Sequence, residues 1–209
     1  MLPSAPNRSS IRSVGLSLKR RNFLDEDKHV DYEQLLACAL NDLTQVDFTA
    51  LREAYTRTPH YDPYRSGAID EQLIALTHAQ DWAGAAVLCE RLLAADYLHA
   101  PLHLVIAYIY QELEDEARAT WHLRFARGLI HSLLSSGDGR SPESAFKVIT
   151  LREEYELLRA LSLESLGQRL IAHNERYYDV LSVQDANGAQ GEIFFDVTAI
   201  IKHARGDSE

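Results

Sequence analysis

A disulfide framework, a membrane-spanning run and a basic surface are all missing from this sequence, and each absence removes a class of protein. The two cysteines, Cys38 and Cys89, sit inside helical patterns rather than at framework spacings, which excludes a small stapled fold and reads both as buried thiols. No run of about 18 apolar residues occurs, so no transmembrane helix is expected. Lys and Arg number 21 against 31 Asp and Glu, giving a net charge of −10. Proteins that bind nucleic acid or anionic membranes must neutralise phosphates, so this balance argues against both and favours a basic or neutral partner. The first residues carry Arg8, Arg12, Lys19, Arg20 and Arg21 without the apolar stretch of a secretory signal, so the expected location is cytoplasmic. A nucleophile elbow, a phosphate loop, a dinucleotide fingerprint and a paired-cysteine motif are absent too, so the common enzyme classes find no support and no cofactor is expected.

What the sequence does contain is helical. With 209 residues, 46% of them hydrophobic, the chain can bury one sizeable core, or one core with a smaller lobe docked on it. Residues 1–28 are rich in Ser, Pro, Asn and Arg and read as a flexible basic arm, the one part suited to touch nucleic acid. Residues 29–135 show strong helical periodicity. Within them Asp47-Phe48, Asp81-Trp82 and Asp115-Glu116 recur at a spacing of 34 residues, each at the start of a helix. Helices paired in a hairpin need small residues where they cross, and Ala107, Ala119 and Ala126 supply them, with Tyr110 and Leu123 filling the gaps beside them.

With these residues in place the chain resembles the tetratricopeptide repeat, best over residues 100–134, well over 66–99 and weakly in the first copy. Residues 101–113 are apolar almost all round and are expected to be sandwiched, whereas 115–134 keeps a polar stripe for solvent.

Beyond Ser135 the pattern changes. Gly137-Asp138-Gly139 marks a turn, Phe146 to Ile149 a brief strand, and Thr150 with Glu153 a capping box for a helix ending near Gly167. Tyr177 to Val183 and Glu192 to Ala199 flank Asp185-Ala186-Asn187-Gly188 as a β-hairpin, expected to pair with Leu170 to His173 or Phe146 to Ile149. Residues 136–203 therefore form a C-terminal α/β segment packed on the helices, followed by a disordered tail at 204–209. The expected class is α+β, mainly α, with tetratricopeptide-like stacked helical hairpins followed by a small C-terminal β-hairpin/α segment. Tyr61-Asp62-Pro63-Tyr64, Ser136-Gly137-Asp138-Gly139, Ala145 to Ile149, Glu153-Glu154-Tyr155 and Phe194-Phe195-Asp196 together resemble an uncharacterised bacterial domain family of unknown function. That resemblance implies a shared fold and no particular activity.

Four clusters are candidates for function. In tetratricopeptide proteins ligands lie on the inner helices, and the matching positions are Asp70, Ile74, Thr77 and His78, then Leu104, Tyr108, Gln111 and Glu112. Either this face holds a protein segment, with apolar pockets for affinity and polar groups for register, or the C-terminal lobe fills it. His99 and His103, four apart, with His122 on the next helix are either metal ligands or hydrogen-bonded core residues. Asp138 between glycines, with Glu153 and Glu154, either ligates a cation and shares acid and base roles or makes a turn and a cap. The Tyr61–Tyr64 corner either packs or meets a partner. Two functions follow. The first is a non-catalytic interaction module, an adaptor or an immunity-like neutraliser of another protein. The alternative is a metal-dependent or acid/base hydrolase centred on His103, His122, Asp138 and Glu153.

Overall fold

The three repeated aspartates begin three helices. Asp47 accepts the backbone N–H groups of Thr49 and Ala50, Asp81 that of Gly84, and Asp115 that of Arg118, satisfying donors that the first helical turn leaves without partners. The computed structural model describes residues 31–66 and 70–206; the basic arm expected at 1–28 lies outside the described residues, as do 207–209. The described elements are α1 (Tyr32–Asn41), α2 (Phe48–Tyr55), α3 (Glu71–His78), α4 (Trp82–Ala95), α5 (Ala100–Glu112), α6 (Glu116–Leu134), β1 (Phe146–Lys147), α7 (Leu151–Ala160), β2 (Leu163–His173), β3 (Arg176–Asp185), β4 (Gln190–Asp196) and α8 (Thr198–Arg205). The architecture is α+β and mainly α.

Small residues set the helix crossings. Ala107, Ala119 and Ala126 are all buried where α5 meets α6, and Ala85 is buried in α4. Leu73, Cys89, Ile106, Ile109 and Tyr110 complete a core shared by α3 to α6. A second core joins Leu51, Ala54 and Tyr55 of the first hairpin to Phe125 and Leu129 of α6. There the Phe48 ring meets Phe125 edge-on at 5.3 Å and lies over Gly128, whose missing side chain opens the space. The third hairpin is thus packed on by the second through one core and by the first through the other, a departure from stacking in chain order.

The C-terminal sheet has the order β1-β4-β3-β2, with β1 parallel to β4 and the other pairs antiparallel. The expected hairpin is β3 and β4, closed where Ala189 accepts from Asp185 N–H and Gly188 adopts a positive φ. Leu133, Phe146, Leu158, Leu181, Phe195 and Ile200 form the core between this sheet, α6, α7 and α8.

Several expectations need correction. The helix expected to reach Gly167 ends at Ala160, where Ser162 turns with φ 56° and β2 begins. Gly167 lies within β2, beside the bulge at Leu166. The strand expected through Ala199 stops at Asp196, whose carboxylate accepts Thr198 N–H and starts α8, so residues 204 and 205 of the expected tail are helical. The capping box is not made. Glu153 accepts the N–H of Ile149, one residue before the cap, at 2.7 Å, and the Thr150 hydroxyl is buried without a partner among the described residues. Helix α5 is not sandwiched, since Leu104 and Tyr108 are exposed along one face. Cys38 is only half-buried.

Candidate functional site

The proposed inner face is open. Ile74 is 42%, Leu104 39% and Tyr108 50% exposed, and His78, Gln111 and Glu112 are exposed as well. The C-terminal lobe therefore leaves this face uncovered, its helices and sheet packing on α6 instead. The two rows, Asp70, Ile74, Thr77 and His78 on α3 and Leu104, Tyr108, Gln111 and Glu112 on α5, repeat the same helical spacing. Trp82, first residue of α4, stands edge-on to the Tyr108 ring at 5.7 Å. Two of the polar members are occupied locally: the Asp70 carboxylate accepts Gln72 N–H as the cap of α3, and the Thr77 hydroxyl donates to the Ile74 carbonyl.

The histidines form a core pair. His103 Nε2 lies 2.9 Å from the Tyr97 carbonyl, an acceptor only, so it carries the proton; His103 Nδ1 then accepts from His122 Nδ1–H at 2.9 Å. Burial is the main cause that lowers both, His103 to about 3 and His122 to about 4, so the pair is neutral at pH 7. Asp138 and Glu153 are engaged elsewhere. Asp138 accepts from Arg140 N–H and the Ser144 hydroxyl in an exposed turn, bonds that hold its carboxyl below the ordinary range. Glu153 takes Arg52 Nη2 at 2.9 Å. The four residues of the hydrolase alternative thus sit in three separate networks, and among the described residues no cluster of three or more His, Cys, Asp and Glu is placed to hold a metal ion.

A different site lies at the seam between α2 and the C-terminal lobe. A cleft of about 920 Å³ opens there, lined by Arg52, Arg57, Lys147, Arg176, Lys202 and His203 together with the acids Glu53, Glu175 and Asp196. The segments singled out in the sequence build its walls. Tyr61 donates its hydroxyl to the Ile149 carbonyl at 2.7 Å and meets His203 edge-on, and the Pro63 carbonyl accepts Leu151 N–H. The Ser136 hydroxyl accepts Lys147 N–H at 2.9 Å, the Gly139 carbonyl accepts Phe194 N–H, and Asp196 holds Arg176 at 3.0 Å. The Tyr61–Tyr64 corner is therefore a packing element, with Tyr64 left exposed.

Residues 20–205 match the family described as Domain of unknown function (DUF4919). The chain belongs to that family. No curated protein and no solved structure matches it. In this DUF4919 chain the basic residues of the seam escaped the sequence reading because Arg52, Lys147, Arg176 and Lys202 come from four distant elements and share no spacing.

A buried carboxyl pair was missed as well. Glu154 is fully buried, and its carboxyl shares a side-chain hydrogen bond with Asp179, to which the protonated form can donate. Burial first, then the charge of Asp179, pushes it up to about 8. Asp179, which takes Gln168 Nε2 at 2.6 Å, is itself raised by burial. The sequence pairs Glu154 with Glu153, but its partner in the fold, Asp179, lies on β3 and shares no spacing with it.

Proposed function

We propose that the chain is a non-catalytic protein-interaction module, built on tetratricopeptide-like hairpins, whose α3 and α5 face takes a basic or neutral segment of another protein. Such a module serves as an adaptor or as an immunity-like neutraliser. The observation that carries the reading is the exposure of Ile74 on α3 and of Leu104 and Tyr108 on α5. Burying large apolar side chains is worth roughly 25 cal/mol per Å², so residues at these positions favour a partner that covers them. Glu112 adds the charge that selects a basic sequence; it already raises the neighbouring Tyr108 phenol.

The test is selection of displayed random peptides on the full chain. Enriched sequences should combine apolar anchors with Lys or Arg, and should lose at least tenfold in affinity to Tyr108→Ala or Ile74→Asp but not to Leu170→Ala, an exposed apolar position on β2. Enrichment of peptides indifferent to Tyr108 would overturn the reading.

A further inference from the structure

The C-terminal sheet ends in an open edge. In the order β1-β4-β3-β2 the far side of β2 pairs with no strand among the described residues. Strand β2 is 11 residues long, about twice the common strand length of roughly 5 to 6. Such an edge offers a row of backbone N–H and C=O groups to any chain laid beside it, and proteins ordinarily blunt it with lysine, proline, short length or a bulge. Neither lysine nor proline occurs in β2. Its bulge falls at Leu166, near the start, and leaves Gly167 to His173 in regular register with β3.

The side chains of that regular stretch divide between two faces. Gln168, Leu170 and Ala172 pair with Leu181, Asp179 and Tyr177 of β3. They stand on the α7 side of the sheet, where Tyr155 donates its hydroxyl to Gln168 Oε1 at 3.0 Å. Gly167, Arg169, Ile171 and His173 alternate with them and stand on the other side. On the α7 side Leu170 is 53% and Tyr155 46% exposed, so large apolar surface lies along an edge that is itself unpaired.

This stretch is complementary to itself. Two copies of one strand, laid antiparallel across a two-fold axis, oppose residues of the same face, so the axis passes through a residue and not between two. An axis at Arg169 would set two guanidiniums opposite each other, which destabilises a strand pair. One at Gln168 would draw the bulged Leu166 into the pairing, and one at Ile171 would oppose Arg169 to His173. An axis at Leu170 avoids all three. It opposes Leu170 to its own counterpart, Gln168 to Ala172, Arg169 to Ile171 and Gly167 to His173. Long side chains then meet short or apolar ones. A Cβ built on Gly167 has no atom within 4 Å, so the imidazole across the pair has open space to enter. Arg169 keeps its charge matched within its own chain, where Glu192 takes it through two nitrogens.

We propose that β2 is a dimer interface between two copies of this chain, joined antiparallel through Gly167 to His173 with the two-fold axis at Leu170. The two four-stranded sheets become one continuous sheet. The Leu170 pair lies at its centre on the α7 side, flanked by Tyr155 of each copy. No residue of the α3 and α5 face takes part, so the dimer leaves that face available.

Sedimentation equilibrium of the full chain should show a concentration-dependent species of twice the 23.6 kDa chain mass. Leu170→Glu and Leu170→Lys each oppose like charges on the axis and should weaken self-association by roughly tenfold or more, a loss of about 1.4 kcal/mol. An equal mixture of the two variants should recover association as a mixed dimer, because only a residue on the axis meets its own counterpart; recovery also shows that both variants are folded. Leu166→Glu, at a position 49% exposed but outside the paired stretch, should leave the dimer unchanged. Hydrogen exchange at Gly167 to His173 should slow as the wild-type chain is concentrated. A wild-type chain that stays monomeric at millimolar concentration, a dimer that both Leu170 variants leave intact, or a mixture that stays monomeric overturns the proposal. Exchange at Gly167 to His173 that is independent of concentration overturns it too, since the edge is then covered within one chain or reserved for another protein.

Discussion

Arg52 and Glu153, a hundred residues apart in the chain, form a two-pronged buried pair: Nη2 lies 2.9 Å from Oε2 and Nε 3.4 Å from Oε1. The pair ties the first hairpin to the start of α7. The remaining nitrogen of Arg52 reaches Ser132 on α6 at 3.3 Å, so one guanidinium joins both lobes across the floor of the seam cleft. Buried pairs of this kind add little beyond an apolar equivalent, but removing one member strands the other.

Glu153→Ala should therefore destabilise the chain by about 3 to 5 kcal/mol, because Arg52 keeps its charge in a buried position. Arg52→Met with Glu153→Leu should recover much of that loss. Urea denaturation of the two variants measures the difference, and equal stability of the single and double variants would show that the pair is not buried as described.

Much of the helical body was legible in the sequence, and the reason is local. The caps at Asp47, Asp81 and Asp115 and the alanines at 107, 119 and 126 act within a turn or across one crossing, so spacing alone reveals them. The hairpin at Asp185 to Gly188 was legible for the same reason. Strand β2 was legible only at its end, where Leu170 to His173 is expected to pair with the hairpin and does: Leu163 to His173 is largely exposed, lacks the alternation of a half-buried strand, and continues the polar composition of α7. Helix α8 was hidden because Phe194 to Ala199 reads as one β-branched and aromatic run, while the cap that breaks it is the short-range bond from Thr198 N–H to Asp196. The seam cleft depends on how the two lobes meet, which no local pattern records.

Glu154 should make stability fall as pH rises. Its folded-state value of about 8 lies above the ordinary carboxyl range near 4.3, so between those values the folded chain binds more protons than the unfolded one and each step upward in pH costs stability. Glu156, raised to about 7 chiefly by burial, contributes in the same direction. Glu154→Gln removes only the first contribution. The variant should gain on the order of 2 kcal/mol over wild type at pH 8 relative to pH 5, measured by denaturant titration at both values. Parallel pH profiles would show that Glu154 does not titrate in this window.

The histidine pair predicts the opposite slope on the acid side. His103 and His122 are lowered in the folded state to about 3 and about 4, against roughly 6.5 for an unfolded histidine. Below pH 6.5 the unfolded chain takes up protons that the folded pair refuses, so stability falls as pH drops toward 4. His99, lowered to about 4 mainly by burial, adds to the same slope. His122→Leu removes one contributor and leaves His103 Nδ1 without its donor. That variant should lose about 1 to 3 kcal/mol at pH 7 and show a shallower decline between pH 6.5 and 4. A decline as steep as that of wild type would mean the pair is charged or exposed.

Gly128 tests how the first hairpin docks. A Cβ built there would overlap the Phe48 ring, although alanine is the better residue for the interior of α6 by about 1 kcal/mol. If α2 lies on α6 as described, the clash should win and Gly128→Ala should destabilise by about 1 to 3 kcal/mol. Adding Phe48→Leu, which shortens the ring toward α6, should restore part of the loss. The same glycine in an uncovered helix would give the opposite sign. A stabilising Gly128→Ala would therefore place the first hairpin elsewhere, and with it the α2 wall of the cleft.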